Sequence, residues 1–330
     1  MIIFVTGATG LIGSFICRRL LENGYAVRAL RRATSDLSLV DDVSNQITWV
    51  EGDILDTVAL AEHLEGVDGV IHCAALVSYD GRDKALMHKV NVEGTANLVN
   101  ASLRLGIDYF LHVSSVAAIG RGKTGQRIDE THQANAEEFG TAYARSKHLA
   151  ELEVWRASSE GLPVAIINPS LVLGPGQWSQ SSTKVFKYIW DENRFYIDGL
   201  ANYVDVRDVA TVALRLLKAR TTGERYITSA GSIPYADLFA MIAQSFNKKP
   251  PTTRVRSGLI PLASVADSLR ARLTGRPQLI TNELQQIASN THVFDNTKVQ
   301  QATGITFNPL ENTVRWCCHE LAKKNQIVQS

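Results

Sequence analysis

A tyrosine and a lysine lie four residues apart in the segment YARSK, at Tyr143 and Lys147. The surrounding residues favour a helix over 140–159, and residues four apart in a helix project from one face, one turn from each other. A phenol with an ordinary pKa of ~10 exchanges protons poorly near neutral pH, but a nearby ammonium favours its phenolate form. The spacing therefore predicts an acid–base pair in which Lys147 brings the pKa of Tyr143 toward the working range.

Three glycines, Gly7, Gly10 and Gly13, separate the apolar run IIFVT from an apolar-periodic segment over 12–22. Gly7 permits a sharp strand-to-helix turn, Gly10 lets the backbone approach a pyrophosphate, and Gly13 lets the helix lie close to the sheet. The N-terminus of that helix offers free N–H groups and partial positive charge. We therefore expect a dinucleotide to bind here, although a purely structural glycine turn is the alternative. The expected binding residues are Gly7, Thr9, Gly10, Leu11, Ile12 and Gly13.

Short β-rich runs alternate with helix-like segments up to about residue 170, which is the pattern of βαβ units. Strands of this kind pair into a parallel sheet with helices on both faces, so we expect a doubly wound α/β fold. The strand-like runs are 2–6, 26–30, 47–51, 69–73, 109–114 and 164–168, and the helix-like segments include 12–22, 83–105 and 140–159.

The alternation predicts a dinucleotide-binding Rossmann domain over residues 1–169. A helix-like segment and the strand-like RYIT within 203–229 are expected to return the chain to the same sheet. Proline, glycine and serine become more frequent from about residue 170, and short helices mix with loops from about residue 230. A smaller, interleaved substrate-binding domain is therefore expected over 170–202 and 230–330.

Charge and hydropathy exclude several classes of protein. Lysine and arginine number 34 against 33 acidic residues, which argues against a broad electrostatic surface for nucleic acid or an anionic membrane. The sequence enters an apolar run directly after Met1, and no stretch reaches the ~18 uncharged apolar residues of a membrane span. We expect a cytoplasmic protein that acts on a small molecule, with no nucleic-acid or membrane partner.

Cysteine usage predicts neither disulfides nor a metal centre. The four cysteines, Cys17, Cys73, Cys317 and Cys318, have no CxxC spacing and are too few for a disulfide framework. The segment CCHE at 317–320 contains metal-ligating residue types, but consecutive helical residues point in different directions and cannot close on one ion.

The order TGxxGxxG, which begins at Thr6, resembles the short-chain dehydrogenase/reductase superfamily, and specifically its extended branch of reductases, sugar-nucleotide epimerases and dehydratases. Within that branch, HVSSVAAIG and NPSLVLGPG are most similar to the dihydroflavonol-4-reductase-like group. The resemblance covers nearly the whole chain, with its motifs in 1–210. It implies an NAD(P)-binding Rossmann fold and catalysis by a Ser/Tyr/Lys trio.

The resemblance also assigns catalytic roles to residues outside YARSK. Ser115, the second serine of HVSS, would hold the substrate oxygen beside Tyr143, while strand alternation turns Ser114 to the opposite side. Lys147 would bind the nicotinamide ribose as well. Asn91 of KVNVEGT would support the lysine directly or through water, unless it only bonds locally within its helix.

Two arginines, Arg31 and Arg32, stand in VRALRRATS, where NAD-binding folds place an acid for the ribose 2′-hydroxyl. A guanidinium matches a phosphate bidentately, so NADP(H) is the expected cofactor. Two solvated arginines, with NAD(H) as the cofactor, are the alternative.

Other cofactor contacts are implied by resemblance alone. Asp53 and Ile54 of EGDILD would meet the adenine, although Asp53 could instead cap the next helix. Ala74 and Ala75 of HCAALVS are small enough for the cofactor to lie against the backbone. Pro169 would pack on the nicotinamide ring.

The candidate substrate residues are Ser78, Asn168 and Trp178. Trp178 follows a Pro-Gly turn, and its loop could cover the substrate or plug a surface. His148 adjoins Lys147 and is expected to be solvated.

These assignments predict an NADP(H)-dependent oxidoreductase that reduces a small or aromatic aldehyde or ketone. An NAD-dependent sugar-nucleotide epimerase or dehydratase uses the same trio and is the first alternative. A non-catalytic NADP(H)-binding regulatory protein is the second. A homodimer is the default assembly.

Sugar-nucleotide relatives commonly carry an arginine where this chain has Ala201, and Arg and Tyr where it has Asn168 and Leu173. Their absence argues against a diphosphate-bearing substrate. Five arginines in the second domain could nevertheless supply cations to such a substrate, and they are Arg254, Arg256, Arg270, Arg272 and Arg276.

Overall fold

The computed structural model describes residues 1–78, 80–122, 125–178, 180, 182–255 and 291–329. Its strands are β1 (Ile2–Thr6), β2 (Ala26–Arg31), β3 (Ile47–Glu51), β4 (Gly69–His72), β5 (Phe110–Val113), β6 (Arg127–Ile128), β7 (Val164–Pro169), β8 (Leu171–Leu173), β9 (Phe195–Ile197), β10 (Leu200–Asp205), β11 (Glu224–Thr228), β12 (Gly231–Pro234), β13 (Thr253–Val255) and β14 (Val293–Phe294). Its helices are α1 (Leu11–Glu22), α2 (Thr57–His63), α3 (Lys84–His88), α4 (Gly94–Arg104), α5 (Ala142–Ser159), α6 (Thr183–Trp190), α7 (Val206–Ala219), α8 (Tyr235–Phe246), α9 (Thr297–Thr303) and α10 (Leu310–Gln329).

A seven-stranded sheet in the order β11-β7-β5-β4-β1-β2-β3 forms the centre of the molecule, and all of its neighbours are parallel. The six strand-like runs all become strands of this sheet, so the predicted doubly wound α/β fold is confirmed. Strand order reverses between β1 and β4. Such a reversal opens a crevice at the carboxyl ends of the strands, where ligands bind in α/β sheets.

Helices cover both faces of the sheet, which explains why its strands are nearly continuous apolar runs. On one face, Ile16 and Leu20 of α1 share a buried core with Val209 and Ala213 of α7. On the other face, helices α4 and α5 pack through a second core that includes Val99.

The helix expected over 83–105 is interrupted. A π-helical turn, Lys89–Glu93, joins α3 to α4, and it contains the candidate residue Asn91. π-Helical turns are rare and are found frequently at functional sites.

Strand β11 pairs in parallel with β7, so the helix and strand within 203–229 do return to the main sheet. A separate three-stranded sheet, β12-β10-β8, packs with α6, α8 and α10 around a third core rich in aromatic side chains. Strand β14 pairs with β6, which brings residues near the C-terminus onto the loop that precedes α5. Residues 256–290 of the expected substrate-binding domain lie outside the described residues, and the division into domains stays a prediction.

None of the helices in the described part of the chain combines the length and the apolar composition that a membrane crossing requires.

Candidate active site

The turn after β1 and the first turn of α1 leave no room for a side chain at two of their three glycines. Gly7 has a φ of +70°, and a Cβ atom there would lie 2.6 Å from the backbone nitrogen of Ala74. A Cβ at Gly13 would lie 2.1 Å from the carbonyl oxygen of Gly7. At Gly10 the only such neighbour would be 3.3 Å away. Gly7 and Gly13 are therefore needed by the fold itself, whereas Gly10 borders open space.

Helix α1 begins at this loop without a side-chain cap. Its N-cap residue is Gly10, and Ser14 is the first residue whose N–H bonds back to the Gly10 carbonyl, at 2.9 Å. The preceding N–H groups of a helix have no partner within it and favour an anion. The loop and the uncapped helix thus fit the pyrophosphate of a dinucleotide.

Arg31 lies at the end of β2, and its guanidinium stacks 5.9 Å from the ring centroid of Trp49 on β3. Its Nε atom is buried and has no hydrogen-bond partner in the described part of the chain. Arg32 is exposed, and its backbone N–H donates to the Ser35 hydroxyl. A buried guanidinium nitrogen without a partner is costly, so the group fits an anionic ligand such as a ribose 2′-phosphate.

The alternative role for Asp53, a helix cap, belongs to another residue. Asp56 accepts hydrogen bonds from the backbone N–H groups of Val58 and Ala59 and thereby caps α2. Asp53 is exposed, and one oxygen accepts from the N–H of Leu55 at 2.9 Å. The expected contact of Asp53 with adenine stays a prediction.

Ile54 and the alanines line the same end of the sheet. Ile54 is buried against α4, where a Cβ at Gly94 would lie 2.7 Å from its Cγ2. Ala74 donates its N–H to the Thr6 hydroxyl at 3.3 Å, and Ala75 is exposed.

Tyr143 and Lys147 both lie on α5, which begins at Thr141, whose hydroxyl accepts from the Ala144 N–H at 2.9 Å. Tyr143 is half-buried, and Lys147 is only 2% exposed. The Lys147 ammonium donates to the carbonyl oxygen of Val113 at 2.9 Å. Burial lowers the pKa of Lys147 to about 8, and the negative charge of Glu151 opposes that shift.

Two buried histidines lie beneath the lysine. His72 on β4 and His112 on β5 are partners in register, and their rings are 5.1 Å apart. Thr6 and Thr95 hold the two ring nitrogens of His72 at 2.7 and 2.9 Å. Burial, reinforced by the charge of Lys147, lowers the pKa of His72 to about 3 and that of His112 well below its usual value. Both rings are therefore neutral at working pH.

The two serines after β5 have different surroundings. Ser115 is half-buried at the start of a 3-10 turn, and its hydroxyl accepts from the Ala117 N–H at 3.2 Å. The Ser114 hydroxyl is buried and has no partner among the described residues. The assignment of Ser115 to the substrate oxygen stays a prediction.

Asn91 bonds over long distances and not locally within its helix. Its side-chain oxygen accepts from the Leu76 N–H at 2.7 Å, and its amide donates to the Leu76 carbonyl and to the Ser146 hydroxyl. Asn91 thus holds the loop after β4 against α5 at Ser146, the residue that precedes Lys147. None of the Asn91 hydrogen bonds in the described structure reaches the Lys147 side chain.

A buried network that sequence reasoning missed reaches Ser115 from α5. Glu151 is 2% exposed, and its Oε1 accepts from the Asn168 amide at 2.6 Å. The same amide donates to the Ser115 carbonyl at 3.0 Å. Arg225 balances the charge, with its Nη1 3.5 Å from Oε2 of Glu151. The position of Glu151, one turn beyond Lys147 on the same helix face, was the only available signal in the sequence.

The remaining candidate residues contact other parts of the chain. The Ser78 hydroxyl donates to Asp83 at 2.6 Å, within its own loop. Pro169 is buried at the end of β7, where Thr228 is its partner in register. Trp178 packs against Trp190 and Phe246 in the third core, at centroid distances of 5.6 and 6.1 Å. Contacts of Ser78, Pro169 and Trp178 with ligands stay predictions.

The expectation that His148 is solvated is wrong. Its ring stacks on Phe139 at a centroid distance of 4.2 Å and is half-buried, because the loop before α5 folds back over the helix. In the CCHE segment, Cys317 and Cys318 are buried in the third core, while His319 is exposed and contacts Glu320.

Comparison with known proteins identifies relatives across this whole architecture. The sequence model of the NAD dependent epimerase/dehydratase family matches residues 3–228. A Synechocystis protein named "Putative dihydroflavonol 4-reductase" is 32% identical over 96% of this chain and 93% of its own length. Cinnamoyl-CoA reductase 1 of Oryza sativa subsp. japonica is 29% identical over 79% of this chain and 81% of its own. The crystal structure of gox2253 superposes with a TM-score of 0.85 at 31% identity, over 98% of this chain and 99% of that one.

Proposed function

The chain belongs to the NAD-dependent epimerase/dehydratase family of the extended short-chain dehydrogenase/reductase superfamily, and on that premise we propose that it is an NADP(H)-dependent carbonyl reductase. The substrate in this proposal is a small or aromatic aldehyde or ketone. Relatives named as reductases, at about 30% identity, support the reaction type.

The position of Arg31 is the observation that favours NADP(H) over NAD(H) as the cofactor. Its guanidinium lies at the carboxyl end of β2 over Trp49, with a buried Nε that no described group satisfies. A ribose 2′-phosphate would supply that partner, and the exposed Arg32 could approach the same phosphate. A dissociable NADP(H) suits a reductase that exchanges its cofactor in each cycle, whereas an epimerase recycles hydride within tightly held NAD.

Bound NADPH would supply the hydride that reduces the carbonyl carbon. Tyr143 would donate the proton to the carbonyl oxygen, and the Lys147 ammonium would stabilise the phenolate that remains. Ser115 would hold the same oxygen by a hydrogen bond. The Asn168 amide, braced by Glu151, fixes the backbone of Ser115 and so keeps its hydroxyl in place.

The environment of Ala201 supports the carbonyl substrate over a sugar nucleotide. Ala201 is 1% exposed within the third core, so the position where relatives carry an arginine faces other apolar side chains. Among the arginines of the second domain, Arg254 pairs with Asp198 at 2.7 Å. The others, Arg256, Arg270, Arg272 and Arg276, lie outside the described residues. A buried diphosphate would require cations to balance its charge, and Arg254, the one arginine of this set among the described residues, already pairs with Asp198.

The test is a panel of aldehydes and ketones followed by NADPH absorbance, run beside a thermal-shift panel of UDP-, GDP- and dTDP-sugars. We expect turnover of at least one carbonyl class and no stabilisation by sugar nucleotides. Stabilisation by one sugar nucleotide, without turnover of any carbonyl, would instead identify an epimerase or dehydratase. Binding of NADPH without turnover or sugar binding would favour a regulatory protein. The homodimer and the cytoplasmic location stay predictions.

A further inference from the structure

Three buried side chains near the carboxyl ends of β7 and β11 each carry an oxygen without a hydrogen-bond partner in the described part of the chain. They are the hydroxyls of Ser170 and Ser229 and the side-chain carbonyl of Asn202. Ser170 is 8% exposed, Asn202 6% and Ser229 1%. Native proteins rarely bury polar oxygens unsatisfied, so each of these atoms, which lacks a partner among the described residues, is available to bind a ligand.

The three residues are neighbours across strands. Pro169 pairs with Thr228, which places Ser170 opposite Ser229, and the Ser170 N–H donates to the Thr228 carbonyl at 3.1 Å. On the other side, Leu171 pairs with Tyr203, which places Ser170 opposite Asn202. Side chains of directly opposed residues project to the same face. The register therefore places Ser170 between Ser229 and Asn202, with the three side chains on one face.

This group lies beside the proposed reacting centre. Asn168 precedes Ser170 by two residues, so both project to the same face, about 7 Å apart along the chain. The Asn168 amide contacts the Ser115 carbonyl, and its own Oδ1 is also buried without a partner among the described residues. A row of unsatisfied oxygens thus leads away from the proposed catalytic serine.

The rest of the cluster is already held in place. The Asn202 amide donates to the His292 carbonyl at 3.1 Å, and the Asn296 amide donates to the Ser229 carbonyl at 2.7 Å. These two bonds hold the segment that contains β14 over the cluster. Since the amide of Asn202 is engaged and its oxygen is not, the missing partner must donate hydrogen bonds.

We propose that Ser170, Asn202 and Ser229 form a subsite that binds a hydroxyl group of the substrate, several bonds away from its carbonyl. This deepens the proposed function and rests on it for the identity of the reacting carbonyl. A hydroxyl donates one hydrogen bond, which the Asn202 oxygen accepts, and it accepts in turn from either serine. The preferred substrate is therefore a hydroxylated aldehyde or ketone and not its unsubstituted parent.

The test compares ligands that differ by one hydroxyl. Benzyl alcohol and the three hydroxybenzyl alcohols, as product analogues, are titrated into the NADP⁺ complex by calorimetry. The matching aldehydes are assayed with NADPH. We expect the wild type to prefer at least one hydroxylated ligand, and the Ser170→Ala, Ser229→Ala double variant to lose about tenfold in affinity for it. Affinity for benzyl alcohol is expected to stay within about twofold, because this ligand has no ring hydroxyl that could bond to the two serines.

Two controls separate this role from a structural one. Ser102→Ala removes a buried hydroxyl that does have a partner, the Leu98 carbonyl at 2.8 Å, and should lower the melting temperature without changing ligand preference. The double variant breaks no hydrogen bond of the described structure, so its melting temperature should not fall.

The nicotinamide carboxamide is the other possible source of a donor at this position. Affinities for NADP⁺ and for 2′-phospho-ADP-ribose, which lacks nicotinamide, distinguish it. A double variant that loses NADP⁺ affinity alone would overturn the proposal in favour of the carboxamide. Absence of any hydroxyl preference in the wild type, or its persistence in the double variant, overturns the proposal as well. Because binding is measured without turnover, a failure to reduce any aldehyde would count against the proposed function only.

Discussion

The Nζ atom of Lys147 lies 3.5 Å from Nε2 of His112, in a place where both side chains are buried. A buried ammonium tolerates this neighbour because the imidazole is neutral, and burial together with the lysine charge keeps the pKa of His112 well below its usual value. The histidine pair thus provides a polar but uncharged surface under the lysine, and the pKa of Lys147 itself falls to about 8.

Activity should therefore decline above about pH 8, as Lys147 loses the proton that makes its charge available to Tyr143. Glu151 raises the pKa of Lys147, so Glu151→Gln should move the alkaline limb of kcat/KM to lower pH. The matched control is Glu153→Gln on the same helix, where the carboxylate pairs with Arg156 near the surface. An unchanged limb in Glu151→Gln, or an equal shift in Glu153→Gln, would contradict this role.

The buried histidines predict how stability depends on pH. The folded-state pKa of His72 is about 3, below its unfolded value, so stability is complete above about pH 6.5 and is lost as the pH falls. His112 acts in the same direction. Protonation of His72 in the unfolded chain should remove about 1.4 kcal/mol of unfolding free energy by pH 5.5. His112→Gln should reduce the loss of unfolding free energy between pH 7.5 and 5.5 in urea denaturation, and His319→Gln, at an exposed position, should not.

Tyr143→Phe should bind NADPH normally and lose at least ~10²-fold in kcat, because it lacks the proposed proton donor. Tyr109→Phe is the matched control, since it removes a buried hydroxyl that has no partner in the described structure and lies in the core under α1 and α7. Steady-state kinetics on the best aldehyde, with cofactor affinity from fluorescence, make the comparison. Wild-type turnover in Tyr143→Phe would show that another group donates the proton.

NADPH should bind at least about tenfold more tightly than NADH, which corresponds to ~1.4 kcal/mol from one charge-assisted contact. The Arg31→Ala, Arg32→Ala double variant should lose this preference and keep its affinity for NADH. Arg19→Ala removes an arginine that pairs with Glu22 on α1 and should leave both affinities unchanged. Fluorescence titrations measure these affinities. A preference for NADPH that persists in the double variant would show that other residues bind the 2′-phosphate.

Substitutions at Gly10 and Gly13 should separate the stability of the fold from the proposed cofactor binding. Gly13→Ala places a Cβ against the Gly7 carbonyl and should destabilise the fold by about 3 kcal/mol or more. Gly10→Ala needs an adjustment of only a few tenths of an ångström and should fold, but it should weaken NADPH binding, since the new methyl group occupies space next to the helix N-terminus. Thermal unfolding with and without NADPH measures both effects. Equal destabilisation by the two substitutions would contradict this division.

The sequence by itself determined the fold class and predicted the residues of the proposed chemistry. Apolar runs and helical periodicity located the strands of the sheet to within one or two residues, and the helix-like segment expected within 203–229 is α7. The glycine spacing and the Tyr143–Lys147 pair could be recognised for the same reason. In each case the relevant residues are close in the chain, so the geometry of one turn, one helix or one strand relates them directly.

Only the tertiary structure decided which distant side chains meet. Asn168 contacts Ser115 across 53 positions, Asn91 reaches Ser146 across 55, and Asn202 holds the His292 carbonyl across 90. Such contacts depend on strand order, on register and on where long connections return, and periodicity within one segment specifies none of these. For this reason the sequence shows the identities of these residues but not their proximity. It could predict neither the Glu151 network nor the unsatisfied oxygens of Ser170, Asn202 and Ser229.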